Sequence, residues 1–126
     1  MMRFFLICLG GAVGTGTRFA LSVGIGALLG PQFPYGTITV NILGSFLMGA
    51  IMYTSTTTDL VAPALRLVLT TGVLGGFTTY SAFNSETVMY LQQNLWGRAL
   101  ANVGVTVIAC LVAGFAGIAA ARRLVS

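Results

Sequence analysis

The chain has 126 residues, of which 56% are hydrophobic and 6% are charged. Soluble domains carry about 25% charged residues, so this composition excludes an ordinary water-soluble protein and predicts one that lies in a lipid bilayer. The formal net charge of +4 comes from six arginines set against Asp59 and Glu86. These arginines form no cluster suited to nucleic acid, and we expect no nucleic-acid partner.

Four segments are apolar and long enough to be predicted as transmembrane helices, since a span needs about 20 predominantly apolar residues. They cover approximately Phe4–Leu29, Thr37–Tyr53, Ala64–Leu91 and Leu95–Ala121. The first segment is longer than the apolar part of a secretory signal and contains Arg18, so we expect it to be retained. The sequence therefore predicts an all-α membrane protein with a single transmembrane domain over residues 1–126.

The second segment contains an amide, Asn41, within the apolar run Ile38–Met52. An amide that faced lipid would be costly, so we expect it to face protein or a polar path. Two interpretations are open. Asn41 forms an interhelical hydrogen bond, or it is a donor that lines an ion pathway.

The third segment is too long for one simple span. As a continuous helix of about 30 residues it would reach about 45 Å, whereas the hydrocarbon core is about 30 Å thick. Gly75-Gly76 lowers helix propensity and Thr78-Thr79 adds stiff branched side chains. We therefore predict a break between Gly75 and Thr79, with the chain unwinding at the paired glycines, followed by a second short helix. Broken helices at mid-membrane depth mark ion and substrate sites.

The predicted break could serve an ion of either sign. Free backbone carbonyls coordinate hard cations such as Na⁺, while N–H groups and hydroxyls favour anions. Phe77, Tyr80 and Phe83 recur every three residues there. Such a stripe usually belongs to a core, yet ring edges carry positive partial charge and can stabilise an anion. Catalysis is not expected, because the chain has no nucleophile–base pair and no cluster of metal-binding side chains.

Arg18 and Glu86 are the two charges predicted to lie within spans, and a charge in a span indicates function by default. Each could line a watery vestibule. Glu86 could instead pair with Arg98 near the membrane edge, and Arg18 could attract anions towards a pore mouth.

The run Gly75-Gly76-Phe77-Thr78-Thr79-Tyr80-Ser81-Ala82-Phe83 resembles the Gly-Gly-x-Thr-Thr-Phe-Ser-Thr-Phe signature of the Fluc (CrcB) fluoride channels. Gly10-Gly11-x-x-Gly14-x-x-x-Arg18 resembles that family's first span, and Pro34-x-Gly36-Thr37-x-x-Val40-Asn41 resembles the beginning of its second. The resemblance covers essentially the whole chain. Two positions depart from the signature, since Tyr80 stands in place of its first phenylalanine and Ala82 in place of a threonine.

This resemblance implies a dual-topology homodimer, with two chains inserted antiparallel in the cell inner or plasma membrane. It implies that cytoplasmic fluoride leaves by passive diffusion through two pores, which reduces fluoride toxicity. The residues it assigns to the fluoride pathway are Asn41, Tyr80, Ser81, Phe83, Asn102 and Thr106, with Arg18 and Glu86 at vestibules. It also implies a structural Na⁺ at the two-fold axis, bound by the main-chain carbonyls of Gly75 and Thr78 from both subunits.

Two other classes of protein remain as alternatives. A small four-helix, proton-coupled multidrug exporter shares the size and the antiparallel habit, but it needs a carboxylate as proton carrier, usually in the first span. Here the only candidate is Glu86, after the break. A non-transporting scaffold would explain the glycines of Gly10-x-x-x-Gly14, which form a helix face of small residues suited to close helix packing. It would not explain a broken, hydroxyl-rich helix. A neutral, donor-rich lining suits fluoride, because a fixed cation at the constriction could trap the ion.

Overall fold

The computed structural model describes residues 1–126, which form helices and no strands. Three helices are long and apolar enough to cross a bilayer: α1 (Met2–Leu29), α2 (Tyr35–Thr57) and α6 (Trp96–Val125). Large apolar side chains such as Phe19 and Ile108 are exposed on them, as expected where lipid tails are the surrounding solvent. The structure is that of an integral, all-helical membrane protein.

The segment between α2 and α6 is interrupted. α3 (Pro63–Leu67) continues into a π-helical segment (Val68–Leu74), and α4 (Gly75–Phe77) follows it. Thr78 and Thr79 are then extended, with ψ angles of 158° and 113°. α5 (Tyr80–Gln92) begins immediately after them, so the predicted break is present and consists of two threonines.

The prediction that the chain unwinds at its paired glycines is wrong. Gly75 has helical dihedral angles, φ −61° and ψ −38°, and Gly76 lies within α4. The reason is packing against α1: a Cβ added to Gly76 would collide with the carbonyl oxygen of Gly11, and one added to Gly14 would collide with the carbonyl oxygen of Val73. The glycines therefore bring two backbones together, and the helix ends where the β-branched threonines begin.

The break lies where the interrupted segment passes from one neighbour to another. Before the break, the π-helical segment and α4 pack chiefly on α1, whereas α5 after the break packs chiefly on α6. α2 packs most extensively on α6 and also contacts α1. A small core of Val40, Leu74 and Phe77 fills the space where α2 meets the residues before the break. The two threonines of the break thus lie beside α2, at the point where the interrupted segment leaves α1 and turns to α6.

Candidate functional site

Asn41 closes the break from the side of α2. Its Nδ2 donates to the carbonyl oxygen of Thr79 at 3.0 Å, and the backbone N–H of Thr79 donates to its Oδ1 at 2.8 Å. Both residues are buried, so the side-chain amide satisfies the two backbone groups that the extended conformation leaves without helical partners. The interhelical hydrogen bond is therefore formed. An amide nitrogen carries two hydrogens, and the second N–H of Asn41 is still available to another acceptor.

The hydroxyl groups of the two threonines in the break form hydrogen bonds with nearby backbone groups. The Thr78 hydroxyl donates to the carbonyl of Leu74 at 2.9 Å. Thr79 is the N-cap of α5, since its Oγ1 accepts from the backbone N–H of Ala82 at 3.2 Å. The N–H groups four residues after Gly75 and Thr78 belong to Thr79 and Ala82, and both donate elsewhere. The carbonyls of Gly75 and Thr78 consequently lack their α-helical donors.

A groove of about 630 Å³ runs along α2, the break and α6. No charged residue lines it. Its polar part is formed by an amide and hydroxyl groups beside two aromatic rings, and the polar side chains are those of Asn41, Ser45, Thr78, Thr79 and Thr106. Its remaining wall on α6 is apolar and includes Val107, Leu111, Phe115 and Ile118.

The two aromatic rings of the groove are those of Tyr80 and Phe83. Their centroids are 5.6 Å apart and their planes are inclined by 63°, an edge-to-face arrangement. Phe83 is buried, whereas Tyr80 is 75% exposed and projects away from the protomer. Ring edges are the electropositive part of an aromatic side chain, so the pair offers partial positive charge to the groove without a formal cation.

The other predicted pathway residues are placed differently. Thr106 lines the groove, but Asn102 is 0% exposed and lies behind it, where its Nδ2 donates to Thr87 Oγ1 at 3.0 Å. Ser81 is exposed beside the break, with its Oγ 3.3 Å from Thr79 Oγ1. Sequence reasoning missed Thr87. Its only sequence signal is the four-residue spacing from Phe83, which places both on one face of α5.

A second cavity, of about 410 Å³, lies beside the loop 31–34 and is lined by both Glu86 and Arg98. Glu86 Oε1 accepts a hydrogen bond from the Thr37 hydroxyl at 2.6 Å, while its Oε2 is buried without a partner. Glu86 therefore does not form the ion pair with Arg98 that the sequence allowed, although both residues line this cavity. Arg18 lies partly exposed on α1 and lines neither cavity.

Comparison with known proteins adds a family to this geometry. The family model described as "CrcB-like protein, Camphor Resistance (CrcB)" matches residues 5–118. A curated relative from Sorangium cellulosum (strain So ce56), named "Fluoride-specific ion channel FluC", is 51% identical over 126 residues, which cover 100% of this chain and 99% of the relative. Relatives of the same name come from Anaeromyxobacter sp. (strain K), 48% identical over 98% of each chain, and Geobacter sulfurreducens, 46% identical over 98% of this chain and 100% of the relative.

These relatives are named as channels and not as enzymes, in agreement with the sequence-based expectation of no catalysis. The matches extend over essentially the whole chain and include the helix break and every residue that lines the groove. The protein is therefore a member of the CrcB family.

Proposed function

We propose that this protein is a passive, fluoride-selective channel of the cell inner or plasma membrane, through which fluoride leaves the cytoplasm and its toxicity is reduced. The observation that carries the proposal is the uncharged groove at the helix break, where amide and hydroxyl groups lie beside aromatic ring edges. A small, tightly hydrated anion can give up water only where such donors replace it, and a neutral lining lets it leave again. The names of the relatives support fluoride as that anion.

In this proposal the fluoride pathway follows the residues assigned from the sequence. The free N–H of Asn41 and the ring edges of Tyr80 and Phe83 contact the ion, and Thr106 continues the polar wall along α6. Asn102 acts from behind this wall, because Thr106 Oγ1 donates to its Oδ1 at 3.4 Å. Ser81, at the exposed start of α5, and the vestibule residues Arg18 and Glu86 would serve the ends of the path.

We further propose that the interrupted segment Pro63–Gln92 is a fourth span and that a second copy, inserted antiparallel, covers the groove. Two features support this arrangement. Tyr80, in a region rich in donors, is 75% exposed in the single chain, and the apolar α6 wall beside it includes the exposed large side chains Leu111 and Phe115. A two-fold related copy would bury both features and, by symmetry, would create two equivalent pathways.

A structural Na⁺ is the remaining part of the proposal. The donor set fits such an ion, since the carbonyls of Gly75 and Thr78 have lost their α-helical donors and unwound backbone carbonyls are typical Na⁺ ligands in membrane proteins. The ion would supply charge that ties the two copies together at their axis. Prolonged replacement of Na⁺ by N-methyl-D-glucamine should lower both dimer stability and fluoride flux. Unchanged dimer stability and flux would contradict these ligands.

The experiment for the channel itself is efflux from liposomes that contain the purified protein. Fluoride release measured with a fluoride electrode should be passive and should occur without chloride release. Drug–proton antiport with no fluoride leak would instead assign the multidrug exporter, and no transport at all would favour the scaffold. Family membership already counts against the exporter, whose proton carrier would have to be Glu86 on α5.

A further inference from the structure

A chain of hydrogen bonds inside the protomer connects two residues that line the groove, Thr106 and Phe83. It passes through two residues that do not line the groove, Asn102 and Thr87. Thr106 Oγ1 donates to Asn102 Oδ1 at 3.4 Å, and Asn102 Nδ2 donates to Thr87 Oγ1 at 3.0 Å. Thr87 Oγ1 in turn donates to the carbonyl oxygen of Phe83 at 2.8 Å. Thr106 and Phe83 line the groove, so Thr87 and Asn102 connect them from behind.

The chemistry of these groups fixes the direction of the line. A backbone carbonyl only accepts and an amide nitrogen only donates, while each hydroxyl has one hydrogen to give. Because Thr87 gives its hydrogen to Phe83, it must accept from Asn102, and the carbonyl of Asn102 is then turned towards Thr106. Removal of the Thr87 hydroxyl would leave a buried amide N–H with no acceptor and would release this orientation.

The same hydroxyl attaches α5 to α6. The bond between Thr87 and Asn102 is the single side-chain hydrogen bond between these two helices. The side-chain bonds of α5 to α2 are the pairing of Thr79 with Asn41 at its start and the bond from Thr37 to Glu86; none of them reaches α6. Phe83 lies midway between Thr79 and Thr87, four residues from each, so bonds to α2 before it and to α6 after it along the chain hold the helix that carries its ring.

We propose that Thr87 is a positioning residue for the conducting groove. By bonding Asn102 and the Phe83 carbonyl together, it fixes the rotation of α5 and thereby the direction of the Phe83 ring edge and of the Thr106 hydroxyl. The proposal rests on the channel function proposed above, and it concerns a residue that contacts neither the groove nor the ion.

The test compares three variants in fluoride-loaded liposomes. Thr87→Val keeps the shape of the side chain and removes the hydroxyl, and we expect fluoride release about tenfold slower, with a lower fluoride-to-chloride ratio. Thr87→Ser keeps the hydroxyl and should restore most of the rate. The matched control is Thr17→Val, because the Thr17 hydroxyl makes the same type of bond, to the Val13 carbonyl at 2.8 Å, but has no second helix to hold.

A double-mutant cycle keeps the test independent of folding. Thr87→Val combined with Asn102→Leu removes both partners, so no amide N–H is buried without an acceptor, and the Thr106 hydroxyl can donate to the backbone carbonyl four residues before it. If Thr87 acts through Asn102, the double variant loses no more flux than Asn102→Leu alone. The proposal is overturned if Thr87→Val conducts like the native protein, if Thr87→Ser fails to recover, if Thr17→Val loses as much, or if the two losses multiply. Absence of fluoride flux in the native protein would overturn the proposed channel function itself. A failure of the channel function can therefore be distinguished from a failure of the role proposed for Thr87.

Discussion

Replacement of Asn41 by leucine should open the helix break. The substitution keeps the approximate size of the side chain but removes both bonds to Thr79, which measure 2.8 and 3.0 Å. The N–H and the carbonyl of Thr79 are then buried without partners. Each such group costs about 1–3 kcal/mol, so the local structure should lose about 2–6 kcal/mol if the chain cannot rearrange.

Hydrogen–deuterium exchange at the Thr79 amide measures this loss directly. That amide is protected only through its bond to Asn41, and a penalty of 1–3 kcal/mol for its one lost bond corresponds to an exchange rate about 5- to 150-fold higher. Asn41→Asp is an informative second variant. The aspartate side chain still accepts from the Thr79 N–H but has no second N–H to offer an ion, so protection should survive while fluoride release is lost.

The control for this experiment is Thr39→Val on the same helix. The Thr39 hydroxyl donates only to the Tyr35 carbonyl within α2, at 2.7 Å, so its loss should leave Thr79 protected. Equal exchange at Thr79 in Asn41→Leu and Thr39→Val would refute the view that the Asn41 amide holds the break. A uniform rise in exchange over all helices in Asn41→Leu would point to global unfolding instead.

Phe83→Ile should abolish fluoride release from liposomes while size-exclusion chromatography still shows a folded dimer, because an aliphatic side chain has no electropositive edge; persistent release would exclude the ring as an ion contact. Tyr80→Phe should keep substantial conduction, since the ring remains, and complete loss would show that the hydroxyl is required. Gly14→Ala should lower the melting temperature in detergent, because its Cβ would meet the Val73 carbonyl, whereas Gly16→Ala, with open space around it, should be neutral or stabilising. Equal melting temperatures for the two alanine variants would contradict the close approach of α1.

Hydropathy was sufficient to locate the long helices, and excess length was sufficient to predict a break. The exact position of the break depends on two opposing effects, the low helix propensity of glycine and the packing of the glycines on α1. Only the first can be inferred from the sequence. Gly75 and Gly76 favour unwinding when considered locally, but α1 packs so closely against Gly76 that this stretch stays helical. Thr78 and Thr79 instead contact α2, where Asn41 pairs with the Thr79 backbone, and they become extended.

Some residues of the candidate site could also be predicted from the sequence, whereas their partners and their depth in the structure could not. Asn41 could be recognised because an amide is rare in an apolar run, yet its partner lies 38 residues away and no local pattern identifies it. Asn102 and Thr106 share one face of α6 by their spacing, but their different depths depend on where α5 packs. Thr87 has no unusual sequence context at all, and only the bond to Asn102, 15 residues away, distinguishes it from other helical threonines.

The pairing of Asn41 with Thr79 also has a consequence for biosynthesis. A nascent chain leaves the ribosome N-terminus first, and Asn41 precedes Thr79 by 38 residues. The amide is therefore already made when Thr79 emerges, so a partner for its N–H and carbonyl is available before they face hydrocarbon. Asn102 is translated later, so the bond that joins α5 to α6 through Thr87 forms only after the last helix has been made.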